Sequence, residues 1–414
     1  MTSGPALEQG TPPLSLYHLL DPEVLADPYP LYRRLREEDP VHWDPYLHAW
    51  VVTRYADVVN VLHHYSASTR LAPERLEDLG MGGLSPIAAL MVRMMLFLDP
   101  PEHGRVRRLA SAAFTPRRVA VLREHIRQIA EGLVDGLGSG GRLEVIRGLA
   151  NPLPAIVSAE MLGLPTADHE LLKYWSQNFA EMLGIGNFQH NPGRAKKVLQ
   201  TVEEMVAYFR AAVINEASNP TAGVINAFST AEIDGDRLSE EEIIANLIIT
   251  MVGAQETTTN LIGNGLLALL RQPDQLERLR SDPALLESAV EELLRYESPS
   301  QYTVRLAPAG AIIGDQEIPE GDAVVAVMGA ANRDPDRFTD PDRLDLGRED
   351  NRHLAFGWAG HFCFGAPLGR LEGQIAFDVL LSRFSELSLD PRADIRWRPN
   401  LVLRGLTELH VLAP

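Results

Sequence analysis

Between Ser239 and Pro273 the chain carries one unbroken helical signal, and a helix of that length constrains most of the fold around it. Ser239 suits an N-cap, and Glu242 stands at the N3 position of a capping box. Apolar residues then recur at helical spacing to Leu270 or Arg271, just before Pro273. About thirty residues at 1.5 Å each would cross a whole domain. The middle of this helix reads Gly253-Ala254-Gln255-Glu256-Thr257-Thr258-Thr259-Asn260. A glycine followed by a β-branched run is poor helix material, and threonine hydroxyls compete for backbone carbonyls and bend helices. Local conflict inside a strong helix tends to mark a functional site.

Helical periodicity dominates from about residue 84 to 300, with breaks at Pro100-Pro101, residues 136–141, Gly163-Leu164-Pro165 and Asn219-Pro220. Strand-like runs stand at Val41-His42-Trp43, at Trp50-Val51-Val52-Thr53 and between Thr303 and Val327. An irregular stretch rich in Asp, Pro and Arg runs from Asn332 to Asn351. The fold class is therefore mainly α with a minor β region. No long linker divides the chain, so a single domain is expected over 21–414, preceded by a flexible segment over 1–20.

Hydrophobic residues make up 45% and charged residues 23%, the balance of a globular protein with a sizeable core. Residues 1–20 carry no Lys or Arg, which suits neither a signal peptide nor an anchor. The longest apolar stretch, Ile243 to Gly253, contains Asn246 and Thr250 and is too short for a bilayer. A cytoplasmic protein with no membrane anchor is expected. The net charge of −18 argues against nucleic acid. Arg105, Arg107, Arg108, Arg117 and Arg118 cluster, either as a solvated helix face or as a positive patch that steers an acidic partner.

Cys363 is the only cysteine, and it lies in Phe356-Gly357-Trp358-Ala359-Gly360-His361-Phe362-Cys363-Phe364-Gly365. A lone cysteine is ordinarily a small buried apolar residue. Here glycines let the backbone turn tightly around the sulfur, and N–H groups aimed at it favour thiolate. Helical spacing resumes from Ala366, which puts the sulfur near a helix N-terminus. One thiolate does not make a zinc site. A metal held by a single thiolate needs other ligands, and a haem supplies four nitrogens, so the loop reads as a haem-thiolate site.

The loop resembles the haem-binding segment of the cytochrome P-450 monooxygenases, F-G-x-G-x-H-x-C-x-G. Phe356, Gly357, His361, Cys363 and Gly365 match, while Ala359 stands where the family usually has glycine. The resemblance implies the cytochrome P-450 fold, with the long helix crossing the haem, haem b as cofactor and Cys363 as iron ligand. The helix centre is similar to the family's oxygen-binding groove, with Ala254 replacing its second glycine. It implies Thr257 as a hydrogen-bonding residue and Glu256 as a proton relay, because dioxygen must receive two protons before its O–O bond breaks. His103 and Arg107, one helical turn apart, with Arg305 and His361, are the implied partners of the haem propionates. His353 stands either near the haem edge or in ordinary packing. Glu292, Arg295 and Arg343 resemble the family's structural Glu-Arg-Arg triad.

By the same resemblance the substrate pocket draws on residues 70–96, 179–188 and 300–303. Met91, Met94, Met95 and Phe97 suggest an adaptable apolar lining, with Gly253, Ala254, Gln301 and Tyr302 beside it. A small hydrophobic organic substrate, possible natural products included, and dioxygen are implied. The chain shows no flavin, nicotinamide or iron–sulfur motif. Electrons would come from a ferredoxin or flavodoxin-type protein, with NAD(P)H acting only through it, and a monomer is expected. Hydroxylation is the expected outcome. Desaturation, oxidative coupling, or a haem-thiolate sensor without turnover are the alternatives.

Overall fold

Ser239 caps the long helix as a capping box requires. Its Oγ accepts from the Glu242 N–H at 3.2 Å, and the Glu242 carboxylate accepts from the Ser239 N–H at 2.8 Å. A computed structural model describes residues 14–68, 85–111, 114, 116–180, 192–221 and 223–414. Four of its helices position the site: α1 (Glu102–Ala110), α2 (Glu240–Arg271), α3 (Leu286–Tyr296) and α4 (Ala366–Arg383). Helix α2 ends before Pro273 opens the next helix, Pro273–Ser281. At 32 residues it is about 48 Å long.

Two apolar cores grip α2 at its two halves. Ile243 to Val252 pack into one, with the helices His169–Ala180 and Pro192–Ser218; Leu261 to Leu269 pack into the other, with α3 and α4. The polar centre of α2 lies where these cores meet. Close approach to α4 depends on missing side chains. A Cβ at Gly265 would come within 2.7 Å of the Phe377 ring, and one at Gly373 within 2.8 Å of Leu261.

The main sheet joins β1 (Val41–Asp44), β2 (Ala49–Val52), β3 (Thr303–Leu306) and β4 (Ala323–Ala326) in the spatial order β1-β2-β4-β3. β2 and β4 pair in parallel, and the outer pairs are antiparallel. All four residues of β4 are buried, as a central strand demands. Near the C-terminus a two-stranded hairpin of β5 (Arg396–Trp397) and β6 (Leu406–Glu408) returns against α2. No helix among the described residues is long and apolar enough to cross a membrane.

The expected flexible segment over 1–20 needs correction at its end. Leu16–Leu20 form a 3-10 turn with Leu16 and Leu19 buried. The Ser15 hydroxyl and the Leu16 N–H donate to the buried Asp44 carboxylate at 2.8–3.0 Å. Residues 1–13 lie outside the described residues.

The irregular stretch after Asn332 takes its shape from a buried ion network. Arg295 and Glu292, both fully buried, pair through two 2.7 Å bonds. Arg295 also donates to the carbonyls of Asn332, Pro341 and Arg343 at 2.8–3.1 Å. The third member, and second cation, is Arg348, whose Nε reaches both Glu292 oxygens at 3.1 and 3.2 Å. Arg343, expected in that place, offers only its backbone carbonyl, and its side chain is exposed. The chain turns at Asp340 and again at Asp345, which swings 343 outward and 348 inward. Arg348→Ala, which strips a cation from a buried carboxylate, is expected to cost about 3 kcal/mol. Arg343→Ala should stay within about 0.5 kcal/mol. Chemical denaturation of the two variants checks the assignment.

Candidate active site

The cysteine loop is built by two left-handed residues, Gly357 (φ 71°) and Ala359 (φ 53°). Cys363 then donates its N–H to the Phe356 carbonyl at 2.7 Å, and α4 starts three residues later. Burial pushes the Cys363 thiol up from its ordinary value; the N–H groups of Gly365 and Ala366, with Arg107 and Arg370, oppose it. Burial therefore outweighs the thiolate-favouring donors until a cation meets the sulfur. Arg370 lies 4.5 Å over the Phe356 ring, and Phe364 packs 4.5 Å from Phe114, so aromatic rings flank the loop.

The sulfur faces a cavity of about 410 Å³ whose opposite wall is the centre of α2. Gly253, Ala254 and Thr257 line it, and the Thr257 hydroxyl donates to the Gly253 carbonyl at 2.7 Å. A Cβ at Gly253 would meet open space, which leaves room above the helix there. Glu256 is turned away: it does not line the cavity, and its carboxylate is paired with Arg398. Asn246, the polar break in the apolar run, accepts from the Met95 N–H at 2.8 Å and donates to the Arg93 carbonyl at 3.0 Å. That clamp holds Met95 and Phe97 over the cavity, whereas Met91 and Met94 are buried in the core without lining it.

At one edge four groups gather. The rings of His103 and His361 lie 4.0 Å apart, with Arg305 and Arg107 beside them on the cavity wall. Burial and the neighbouring Arg305 push His361 down to about 3, and burial lowers Arg305 to about 10. His103 is lowered too, by burial and then by Arg107. His103 Nε2 and Arg305 Nε are buried with no hydrogen-bond partner among the described residues. Arg107 leans toward the loop, where its Nη2 donates to the Phe362 carbonyl at 2.7 Å. Cationic groups crowded around unused donors suit an anionic occupant.

Other expected residues sit differently. Tyr302 lines the cavity, but Gln301 does not. The Gln301 side chain turns inward, accepting from the Tyr32 hydroxyl at 2.8 Å and donating to the Ser298 carbonyl at 2.6 Å. His353 packs away from the cavity against Glu291, which also receives Arg370. Burial pushes Glu291 up, yet these two partners hold it at about 2. In the arginine cluster, Arg105 is neutralised by Asp236 and Glu242 and Arg108 is exposed. The side chains of Arg117 and Arg118, with positions 70–84 and 181–188 of the expected pocket, lie outside the described residues.

Sequence reasoning missed Glu372. It lies on α4, lines the cavity and is 1% exposed. Burial pushes its carboxyl up to about 8, against a hydrogen bond with Thr258. A signal existed: an acid on the face shared by Leu368, Leu371 and Ile375 has to be buried. Arg398 left no comparable signal.

A sulfur on one wall, orphaned donors at one edge and a mostly apolar remainder fit a haem, with Cys363 toward the iron and His103, Arg107, Arg305 and His361 toward the propionates. Fold and site together define a haem-thiolate oxygenase. Residues 156–406 match the family model "Cytochrome P450". The chain is 39% identical to Cytochrome P450 107B1 of Saccharopolyspora erythraea, covering 94% of this chain and 96% of that one. It is 38% identical to Cytochrome P450 monooxygenase PikC of Streptomyces venezuelae, over 98% and 96%. The crystal structure of P450BioI with acyl carrier protein bearing hexadec-9Z-enoic acid superposes with a TM-score of 0.87 at 35% identity, covering 95% of this chain and 99% of that one. The chain belongs to the cytochrome P450 family, and it is a monooxygenase of that family.

Ala359 explains the family's glycine, because the position is left-handed and alanine is strained there. Ala359→Gly is expected to stabilise the protein by about 1 kcal/mol, read as a rise in the midpoint of urea unfolding. Glu372 gives a pH signature. Unfolded chain releases its proton near 4.5 whereas folded protein keeps it to about 8, so stability falls as pH rises through that window. Glu372→Gln should remove the fall: its melting temperature matches wild type below pH 4.5 and exceeds it increasingly toward pH 8.

Proposed function

We propose that this protein hydroxylates a hydrophobic small organic molecule, a natural product with an aliphatic portion, by inserting one atom of dioxygen. The observation that carries this reading is the apolar cavity wall of Met95, Phe97, Ile249 and Val402 facing Cys363 across Thr257. Bound haem supplies dioxygen activation, with electron density from the thiolate favouring O–O cleavage. The chain's own residues do the rest. Met95 and Phe97, fixed through Asn246, orient an apolar substrate and keep bulk water out. Thr257 presents a hydroxyl to the cavity, able to hold a water molecule beside the oxygen being reduced. Glu256 is the proton donor of this reading. Glu372, neutral at pH 7 by the shift to about 8 and hydrogen-bonded to Thr258, is a second reserve of a proton on the cavity wall.

Two electrons come from a separate ferredoxin or flavodoxin-type protein, reduced in turn at the expense of NAD(P)H, and the enzyme acts as a monomer. Arg107 and Arg108 on α1 supply positive charge next to the cysteine loop for such an acidic donor. Ligands that expel water from the cavity, found by their low-spin to high-spin shift, identify candidate substrates. With such a ligand under oxygen-18 gas, the product should carry one labelled atom. An unlabelled oxidised product would mean desaturation or coupling instead. Cys363→Ser should lose both turnover and the reduced carbon-monoxide Soret band of haem-thiolate proteins, and retention of that band would overturn the ligand assignment.

A further inference from the structure

Helix α2 carries four threonines, and three of them are committed. The Thr257 hydroxyl donates to the Gly253 carbonyl at 2.7 Å, that of Thr259 donates to the Ala150 carbonyl at 3.0 Å, and Thr258 hydrogen-bonds Glu372. Thr250 is the exception. It lines the cavity, and none of the described residues hydrogen-bonds its hydroxyl. A threonine inside a helix ordinarily turns that group onto its own backbone or out to water. This one is half-buried and shares its wall with Ile249, Met95 and Phe97. Asn246, Thr250, Gly253 and Thr257 follow one another at spacings of four, three and four, so they stand on one face of the helix. Asn246 pins the chain at Arg93 and Met95 across that face, one turn before Thr250. Between the two threonines the face carries Gly253 and Ala254, and a Cβ at Gly253 would meet open space. Thr250 and Thr257 are about 10 Å apart along the helix axis. The basic side chains among the described lining residues, His103, Arg107, Arg305 and His361, all belong to the edge assigned to the propionates.

We propose that Thr250 anchors the substrate, and that the substrate is an elongated neutral molecule bearing a hydroxyl or carbonyl oxygen about 10 Å from the carbon that is oxidised. This rests on the reading of the protein as a hydroxylase acting beside Thr257. The Thr250 hydroxyl both donates and accepts, so an alcohol and a carbonyl serve it equally. A ligand that expels water from the cavity without offering an oxygen leaves this hydroxyl unpaired, and its binding is penalised accordingly. A ligand whose oxygen arrives there keeps the bond. A carboxylate would need a cation at the same place to offset its lost hydration, and Thr250 supplies only a neutral dipole. Between the two hydroxyls lies a floor without long side chains, on which an aliphatic portion lies flat. The carbon presented beside Thr257 is then set by its distance from the oxygen-bearing end, and the far methyl end has no part in the choice.

The test titrates haem-loaded full-length protein with dodecanol, dodecane and dodecanoic acid, following the low-spin to high-spin shift. Wild type binds dodecanol more tightly than the acid. Thr250→Val, which keeps the shape and loses the hydroxyl, weakens dodecanol about fivefold and leaves dodecane unchanged. Thr250→Ser keeps the wild-type preference, and Thr250→Ala replaces the valine variant if that one does not fold. A surrogate ferredoxin and its reductase then drive turnover of decanol, dodecanol and tetradecanol under oxygen-18 gas. Wild type places the label on the same carbon of all three, counted from the alcohol, and in Thr250→Val the position scatters. An unchanged dodecanol affinity in Thr250→Val, or an equal loss with dodecane, overturns the anchor. Tighter binding of the acid overturns the neutral class, and a label counted from the methyl end overturns the fixed distance. If the affinities behave as stated but the oxidised product carries no label, the hydroxylase reading falls and the anchor stands.

Discussion

The depth to which α2 and α4 approach each other is the constraint on which the site depends. Gly265 and Gly373 leave no side chain between the helices, and Phe377 and Leu261 fill the space so freed. Cys363 precedes the first turn of α4, and Thr257 stands at the centre of α2. The separation of the two cavity walls is thus set by packing in the second core, remote from any reacting group. Adding one methyl at either glycine forces the helices apart, because a close-packed interior does not absorb it elsewhere.

Polarity within the cavity is segregated. One edge carries His103, His361, Arg305 and Arg107, while Met95, Phe97 and Val402 leave the side above α2 apolar. In a chain of net charge −18 this cationic edge is a local construction. Its cost shows in the lowered affinities of His361 and Arg305 for protons. Buried donors without acceptors destabilise the empty protein and become favourable once an anion enters. The edge is thereby both a recognition device and a reason for the protein to be more stable with its cofactor than without it.

Local patterns were legible in the sequence, and side-chain direction was not. The capping box at Ser239 and Glu242 gave the start of α2, and Pro273 its end, because both signals act within one turn. The strand runs near 41–53 and 303–327 were visible for the same reason. The roles of neighbours in sequence were harder. Gln301 and Tyr302 are adjacent, yet in the segment just before β3 one side chain turns to Tyr32 and the other to the cavity. Arg343 and Arg348 differ by five positions in a coil without periodicity, and two turns decide which one meets Glu292. Arg398 meets Glu256 from 142 residues away, through a hairpin whose strands are two and three residues long. No window of sequence contains that contact.

The network at Arg295 has a consequence for the way this region can change. One guanidinium gathers the carbonyls of Asn332, Pro341 and Arg343 and a carboxylate on its own helix. Three points fixed to one rigid planar group determine a curve, much as three pins hold a wire. A coil with no ladder of its own therefore acquires the stiffness of regular structure. Between the pins Arg333, Asp334 and Phe338 are buried, so only the exposed positions such as Asp336 are free to vary, and the spacing of the pins is fixed with them. Length, and these few buried side chains, are what this part of the chain has to keep.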